Sequence, residues 1–278
     1  MIMFSIRANN FSLEQIADSG QCFRMKRSAA KVYTIISGDR YVKAYQLYDQ
    51  ITFSCSYKEY EDYWKKYLDL DSDADYIAID KLINKSNDEY IKKAYAFGSG
   101  IRILKQDTWE MIISYIISQN NNIPRIKKTI EKICRKYGKL ISEKDDIYSF
   151  PTPDMIDENT LEDDELGLGY RAEYLKNIIT YIKEHPEYIT TLELASYEKA
   201  VENLKGHKGI GPKVSNCICL FALHHTGAFP IDTHIKKIIK ANYPDGFDNS
   251  YYGDYQGIVQ QYMFYYDLNN EEDDDDEE

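Results

Sequence analysis

The chain has 278 residues, room for one large domain or two modest ones, and its 43% hydrophobic content supports a sizeable core. A net charge of −12 speaks against a nucleic-acid partner on its face. However, eight of those charges sit in one run, Glu271 to Glu278, which is expected to be a disordered, solvated tail. Five mostly scattered cysteines (Cys22, Cys55, Cys134, Cys217, Cys219) argue against a disulfide framework, and no 18-residue apolar run or apolar leader occurs, so a soluble cytoplasmic protein is expected.

Residues 1 to about 100 read as α+β. Lys31–Ser37, Arg40–Gln46 and Ile51–Cys55 are rich in β-branched residues and tyrosine, with Ser-Gly-Asp between the first two, and predict strands. Tyr57 to Leu68 carries tyrosines and Trp64 at helical spacing. Upstream of the strands, Ser19-Gly20-Gln21 is by itself an ordinary turn.

From Gly98 the pattern becomes helical. Trp109 to Ile117 predicts a buried helix with Asp107 as its N-cap. Asn120, Asn121 and Asn122 interrupt it, and Pro124 sits early in an amphipathic helix ended by Gly138. Between Asn120 and Leu140 stand seven basic residues, Arg125 among them, against the single acid Glu131, so the acidic chain carries a locally basic face. Residues 139 to 165 read as an acidic surface connection. Gly167 to Leu175, GLGYRAEYL, reads as a glycine turn opening a helix at Tyr170 and Arg171.

The densest stretch, Leu204 to Lys237, places Gly206, Gly209 and Gly211 between helical segments. A Gly-x-Gly step before a helix leaves backbone amides pointing outward, and with the helix dipole these suit an anion such as a phosphate. Lys213 opens the following helix, where a cation is poorly placed. Its neutral amine would be a nucleophile able to form a Schiff base. Cys217 lies one turn on, on the same face. Pro230-Ile231-Asp232 then launches another helix; Asp232 suits an N-cap and also a carboxylate that stabilises positive charge. The last helix is predicted over Asp254 to Leu268, with Gln260 and Phe264 on one face.

Gly-x-Gly-x-Lys followed by Pro-x-Asp resembles the helix-hairpin-helix, Gly/Pro-Asp superfamily of base-excision DNA glycosylases. The longer string GIGPKVSNCICLFAL, with PIDTH after it, resembles the 8-oxoguanine DNA glycosylase/AP lyase family. The likeness runs from Gly20 to Asp267 and is loose in the N-terminal third outside SGQCFRMK. It implies an α+β protein with an N-terminal antiparallel sheet domain (1–100), then a mainly helical glycosylase region (101–270) with its hairpin near 200–220.

The resemblance also implies roles. Lys213 and Asp232 match the catalytic pair. Gly20, whose carbonyl would accept from the N7–H that distinguishes 8-oxoguanine from guanine, joins Cys217, Gln260 and Phe264 as binders of the flipped base. Asn120, Arg125 and Arg171 match readers of the orphaned cytosine, and Tyr170 matches a wedge in the duplex. Gly209, Gly211 and His234 match phosphate contacts, and Asp267 is expected to cap or support the base-binding wall. The implied partner is double-stranded DNA containing oxidised guanine, bound by a monomer without membrane involvement and DNA-associated in the cell (nuclear in a eukaryote). No cofactor is implied, although hairpin carbonyls in such folds can hold a structural monovalent cation. No cysteine follows Cys219, so the four-cysteine iron–sulfur loop of some relatives is missing. Pro124 and Ile258 depart from the family pattern and bear on base preference. Two alternatives stay open: a related glycosylase for another lesion, and a non-catalytic helix-hairpin-helix DNA-binding module.

Overall fold

Five short strands pair antiparallel in the order β1-β5-β4-β3-β2: β1 (Phe4–Arg7), β2 (Met25–Ala29), β3 (Val32–Ser37), β4 (Arg40–Leu47) and β5 (Gln50–Phe53). The structure, a computed structural model, describes residues 3–274, with side chains to residue 270. Three strands fall where the β-branched runs predict them. The other two, β1 and β2, lie at the sheet edges. The edge strand β2 buries only Met25, so it leaves no apolar alternation to read. One sheet face packs Ile35, Val42, Ala44, Ile51 and Phe53 against Leu13 and Ile16 of α1 (Leu13–Asp18) and against Trp64 and Leu68. Trp64 lies in a helical segment predicted from Tyr57, built as α2 (Tyr57–Glu59), a π-helical turn (Tyr60–Trp64) and α3 (Lys65–Tyr67).

The helical body begins earlier than residue 101. Helices α4 (Asp73–Lys85) and α5 (Glu89–Gly98) bury Tyr76, Ile79, Ile83, Ile91 and Ala94 in the larger core, together with the helices that follow. The sheet's own core ends near Leu68, with Leu104 added from the connection. At the centre stands α6 (Thr108–Ile117), buried at every position and capped by Asp107, whose side chain accepts from Glu110 N. It leads through the asparagine triplet to α7 (Ile123–Tyr137), where Pro124 occupies the first turn and no i→i−4 bond is lost.

Residues 139–165 hold a small hairpin, β6 (Leu140–Ser142) with β7 (Ile147–Tyr148), followed by three 3₁₀ turns. The remaining helices are α8 (Arg171–Glu184), α9 (Tyr188–Glu193), α10 (Tyr197–Lys205), α11 (Pro212–Phe221), α12 (Thr233–Asn242) and α13 (Gln256–Asp274). Helix α13 packs across α5 and α12 and buries Ile258, Val259, Tyr262 and Met263. It extends to Asp274, and the expectation for 275–278 falls outside the described residues. No helix among the described residues is long and apolar enough to cross a membrane.

Candidate active site

The hairpin predicted near 200–220 joins α10 to α11. Gly209 adopts φ +87°, and a Cβ there would lie 2.4 Å from the Tyr174 ring, so both conformation and contact demand glycine. Gly211 is the N-cap of α11 and Pro212 its first residue. The cap has no side chain, so none answers the first-turn amides, which is the donor arrangement an anion takes.

The next residue, Lys213, is half-buried and reaches a narrow cleft of about 50 Å³ lined by Ser19, Gly20, Tyr115, Lys213, Cys217, Phe221, Pro230, Asp232, Gln260, Gln261 and Phe264. Four separate parts of the chain meet there: the turn after α1, α6, the hairpin helix with the Pro230–Asp232 loop, and α13. Lys213 Nζ lies 5.6 Å from the centre of the Tyr115 ring. Tyr115 is itself fixed by stacking on Phe221 (5.7 Å, 16° between planes) and by its hydroxyl, which donates to Gln21 O at 3.2 Å. An aromatic face held beneath an amine attracts its protonated form electrostatically and limits where it can swing.

Asp232 caps α12: Oδ1 accepts from Ile235 N at 2.9 Å. Capping and facing the cleft are thus compatible. Cys217 lies at the bottom of the cleft, 4% exposed. Burial pushes its thiol up from the ordinary value, and the neighbouring Lys213 pulls it only part of the way back. It therefore keeps its proton near neutrality and acts as a neutral wall.

Helix α13 forms the opposite wall. Gln260 is 4% exposed, and its Oε1 has no hydrogen-bond partner among the described residues. A buried carbonyl left without a donor is costly, and in a cleft it points to a ligand that supplies one. Phe264 stands one turn on, its ring 5.2 Å from His234. Gly20 has φ +74° and fits so closely under Phe264 that a Cβ would come within 2.9 Å of Cε1. His234 Nδ1 pairs with Asp267 Oδ2 at 2.9 Å, which orients the imidazole.

A second cluster gathers beside α7. Asn120, at φ +46°, donates through Nδ2 to the Tyr170 hydroxyl at 3.2 Å. Tyr170 is 49% exposed. Arg171 is buried, and its guanidinium lies 4.6 Å from the Tyr170 ring and donates to the carbonyls of Gln119, Asn120 (2.9 Å) and Leu168 (3.2 Å). In this conformation Arg171 holds the asparagine loop rather than presenting free donors outward. Arg125 projects from the exposed first turn of α7, its backbone N–H donating to Asn122 Oδ1 at 2.9 Å.

The sequence pattern did not single out Tyr115, Phe221 or Gln261, which look like core residues until the chain folds. A wider groove of about 830 Å³ opens between the ends of α4 and α12, but its Asp88 is engaged in capping α5 and in accepting from the Tyr243 hydroxyl. Among the described residues no group of three or more His, Cys, Asp or Glu side chains is placed to hold a metal ion.

Family models match in two consecutive blocks: the 8-oxoguanine DNA glycosylase N-terminal domain over residues 3–112, and the HhH-GPD superfamily of base-excision DNA repair proteins over residues 113–247. The chain is 38% identical over 158 residues to an N-glycosylase/DNA lyase of Saccharomyces cerevisiae, covering 52% of this chain and 42% of that protein. It is 31% identical over 210 residues to the N-glycosylase/DNA lyase OGG1 of Arabidopsis thaliana, covering 65% and 57%. The chain thus spans about half the length of these two relatives. The 8-oxoguanine glycosylase/lyase of Clostridium acetobutylicum, solved with double-stranded DNA containing cytosine opposite 8-oxoG, superposes with a TM-score of 0.86 at 32% identity, over 98% of this chain and 99% of that one. Two matched domains in the right order, a solved relative covered end to end, and a lysine–aspartate cleft beside a helix-hairpin-helix place this chain in the 8-oxoguanine DNA glycosylase family.

Proposed function

We propose that the protein is a bifunctional DNA glycosylase and AP lyase that removes 8-oxoguanine from duplex DNA, with cytosine as the preferred opposite base. The observation that carries the reading is one cleft holding Lys213, Asp232, the orphaned amide of Gln260, the Phe264 ring and Gly20. A base must leave the stack to enter it, and on this reading Asn120 and Tyr170, whose side chains are hydrogen-bonded to each other, fill the gap. Inside, Phe264 stacks on the purine face, Gln260 pairs with its Watson–Crick edge, and the Gly20 carbonyl accepts N7–H. Guanine has only a lone pair at N7 and would be repelled there.

The chemistry follows from the lysine. The Lys213 amine attacks C1′ as the C1′–N9 bond breaks, and the released purine takes up a proton. Asp232 stabilises the positive charge that develops on the sugar and then on the attacking nitrogen. Opening of the sugar ring gives the Schiff base. Loss of a C2′ proton then expels the 3′ phosphate, cutting the strand 3′ to the lesion, and water returns the lysine. The first-turn amides of α11 and His234 hold phosphates. A monovalent cation on the hairpin carbonyls belongs to the same proposal: the Leu204 and His207 carbonyls each accept a hairpin amide and retain a second lone pair. We also propose a monomeric, DNA-associated protein.

The test is a panel of duplexes carrying 8-oxoguanine opposite C, A, G or T, with a G·C control, scored separately for base release and strand cleavage. Release from the 8-oxoguanine·C duplex together with cleavage, and none from G·C, supports the reading. Release of another damaged base in preference would move the assignment to a different lesion, and binding without release would make the protein a binding module.

A further inference from the structure

We infer that Gln261 is a positioning residue for lesion specificity, holding the Ser19–Gly20 peptide so that the Gly20 carbonyl stays aimed at the base. The inference rests on the proposed function and adds to it a residue that does not touch the reacting atoms. Gln261 is 2% exposed and lies in the first half of α13, next to Gln260. Its Nε2 donates to Ser19 O at 2.7 Å, across 242 positions of sequence, and Ser19 is wholly buried.

The geometry explains why such a clamp is needed. Gly20 sits at φ +74° with no Cβ to restrict it, so the peptide carrying its carbonyl has unusual freedom to rotate. That freedom is removed from both sides. After Gly20, Gln21 O accepts from Gln106 Nε2 at 2.9 Å and from the Tyr115 hydroxyl at 3.2 Å, while the Gln21 side chain bridges Ser19 Oγ, Arg102 O and Leu104 N. Before Gly20, the carbonyl of Ser19 is held by Gln261, which comes from the same helix as Gln260 and Phe264. The acceptor that reads N7–H and the two side chains that read the rest of the purine are thereby tied to one rigid element, as precise recognition requires. Gln261 Oε1 has no partner among the described residues, so Nε2 is the end of the amide that is engaged, on Ser19 O.

The experiment compares wild type with Gln261→Met, which keeps the shape and removes the donor, and Gln261→Glu, which puts a carboxylate oxygen against Ser19 O. Three quantities are read on each folded protein: single-turnover 8-oxoguanine excision opposite C, the ratio of 8-oxoguanine to guanine excision, and strand cleavage at a preformed abasic site. Both variants should lose about tenfold in 8-oxoguanine excision, the scale of one buried hydrogen bond, and the discrimination ratio should fall with it. Abasic-site cleavage, which needs no base, should stay near wild type. The inference is overturned if the ratio is unchanged in a folded variant, or if abasic-site cleavage falls in parallel, which would mark Gln261 as merely structural. Wild type that cleaves abasic sites but ignores 8-oxoguanine would instead overturn the proposed substrate and this inference with it.

Discussion

Replacing Gly20 by alanine perturbs the cleft at one atom, and the structure sets the size of the effect. At φ +74° a non-glycine residue costs about 1 to 2 kcal/mol, so folding stability should drop by roughly that amount. The new Cβ would lie 2.9 Å from Phe264 Cε1, well inside a carbon–carbon contact of about 3.5 Å, so the ring must retreat by roughly 0.6 Å or the turn must rotate. Phe264 is braced by the His234 ring at 5.2 Å, so part of the strain returns to the Gly20 carbonyl. Misplacement on this scale costs about ten- to a hundredfold in a positioned reaction. Single-turnover excision from an 8-oxoguanine·C duplex should fall by that factor, while cleavage of a preformed abasic site stays close to wild type. A Gly20→Ala protein that excises 8-oxoguanine at the wild-type rate would refute both the placement of the base against Phe264 and the use of the Gly20 carbonyl.

Gly209→Ala drives a Cβ into the Tyr174 ring at φ +87°, so a loss of about 2 to 3 kcal/mol in urea unfolding is expected, with weaker binding of damaged and undamaged duplexes alike; an unchanged midpoint would contradict the hairpin geometry. Arg171→Ala removes the donors that hold the Gln119 and Asn120 carbonyls, lowering stability by about 2 kcal/mol and weakening preference for the opposite base, measured as the C-to-A ratio in excision; an unaltered ratio would leave Arg171 a purely structural residue. Glu110 is buried beside Arg24 at 3.7 Å, and burial pushes its carboxyl up to about 7 despite the guanidinium. Its folded value exceeds the unfolded 4.5, so the stability it contributes is full below about 4.5 and is lost as pH rises through about 7. The difference in melting temperature between wild type and Glu110→Gln should therefore vary across that window; parallel pH profiles would show that Glu110 does not titrate there.

The parts of the protein that were legible in sequence are those written locally. The hairpin glycines, Lys213, Cys217 and the Asp232 cap lie within 27 residues and impose backbone angles, dipoles and side-chain types that one segment alone can display. The same holds for β3, β4 and β5, whose buried positions alternate or run continuously, and for α6, which is apolar enough to be read as interior. What escaped was decided by distant partners. The edge strands β1 and β2 exist because β5 and β3 offer them hydrogen bonds. Helices α4 and α5 belong with the helical core because α13 returns from the far end of the chain to pack on α5. Tyr115 and Gln261 look like ordinary interior residues until α6 and α13 bring them to the lysine cleft. Arg171 differs in another way: its motif was visible, but the carbonyls it holds come from the loop after α6.

The central claim is that Lys213 becomes covalently joined to C1′ of the damaged nucleotide, and borohydride trapping tests it directly. A duplex with 8-oxoguanine opposite cytosine is incubated with wild type or Lys213→Gln in the presence of borohydride, and protein–DNA adducts are resolved by denaturing electrophoresis. A stable adduct is expected with wild type and none with Lys213→Gln, although the variant still binds the duplex. Base release by wild type without any adduct, or an adduct that persists in Lys213→Gln, would contradict the claim.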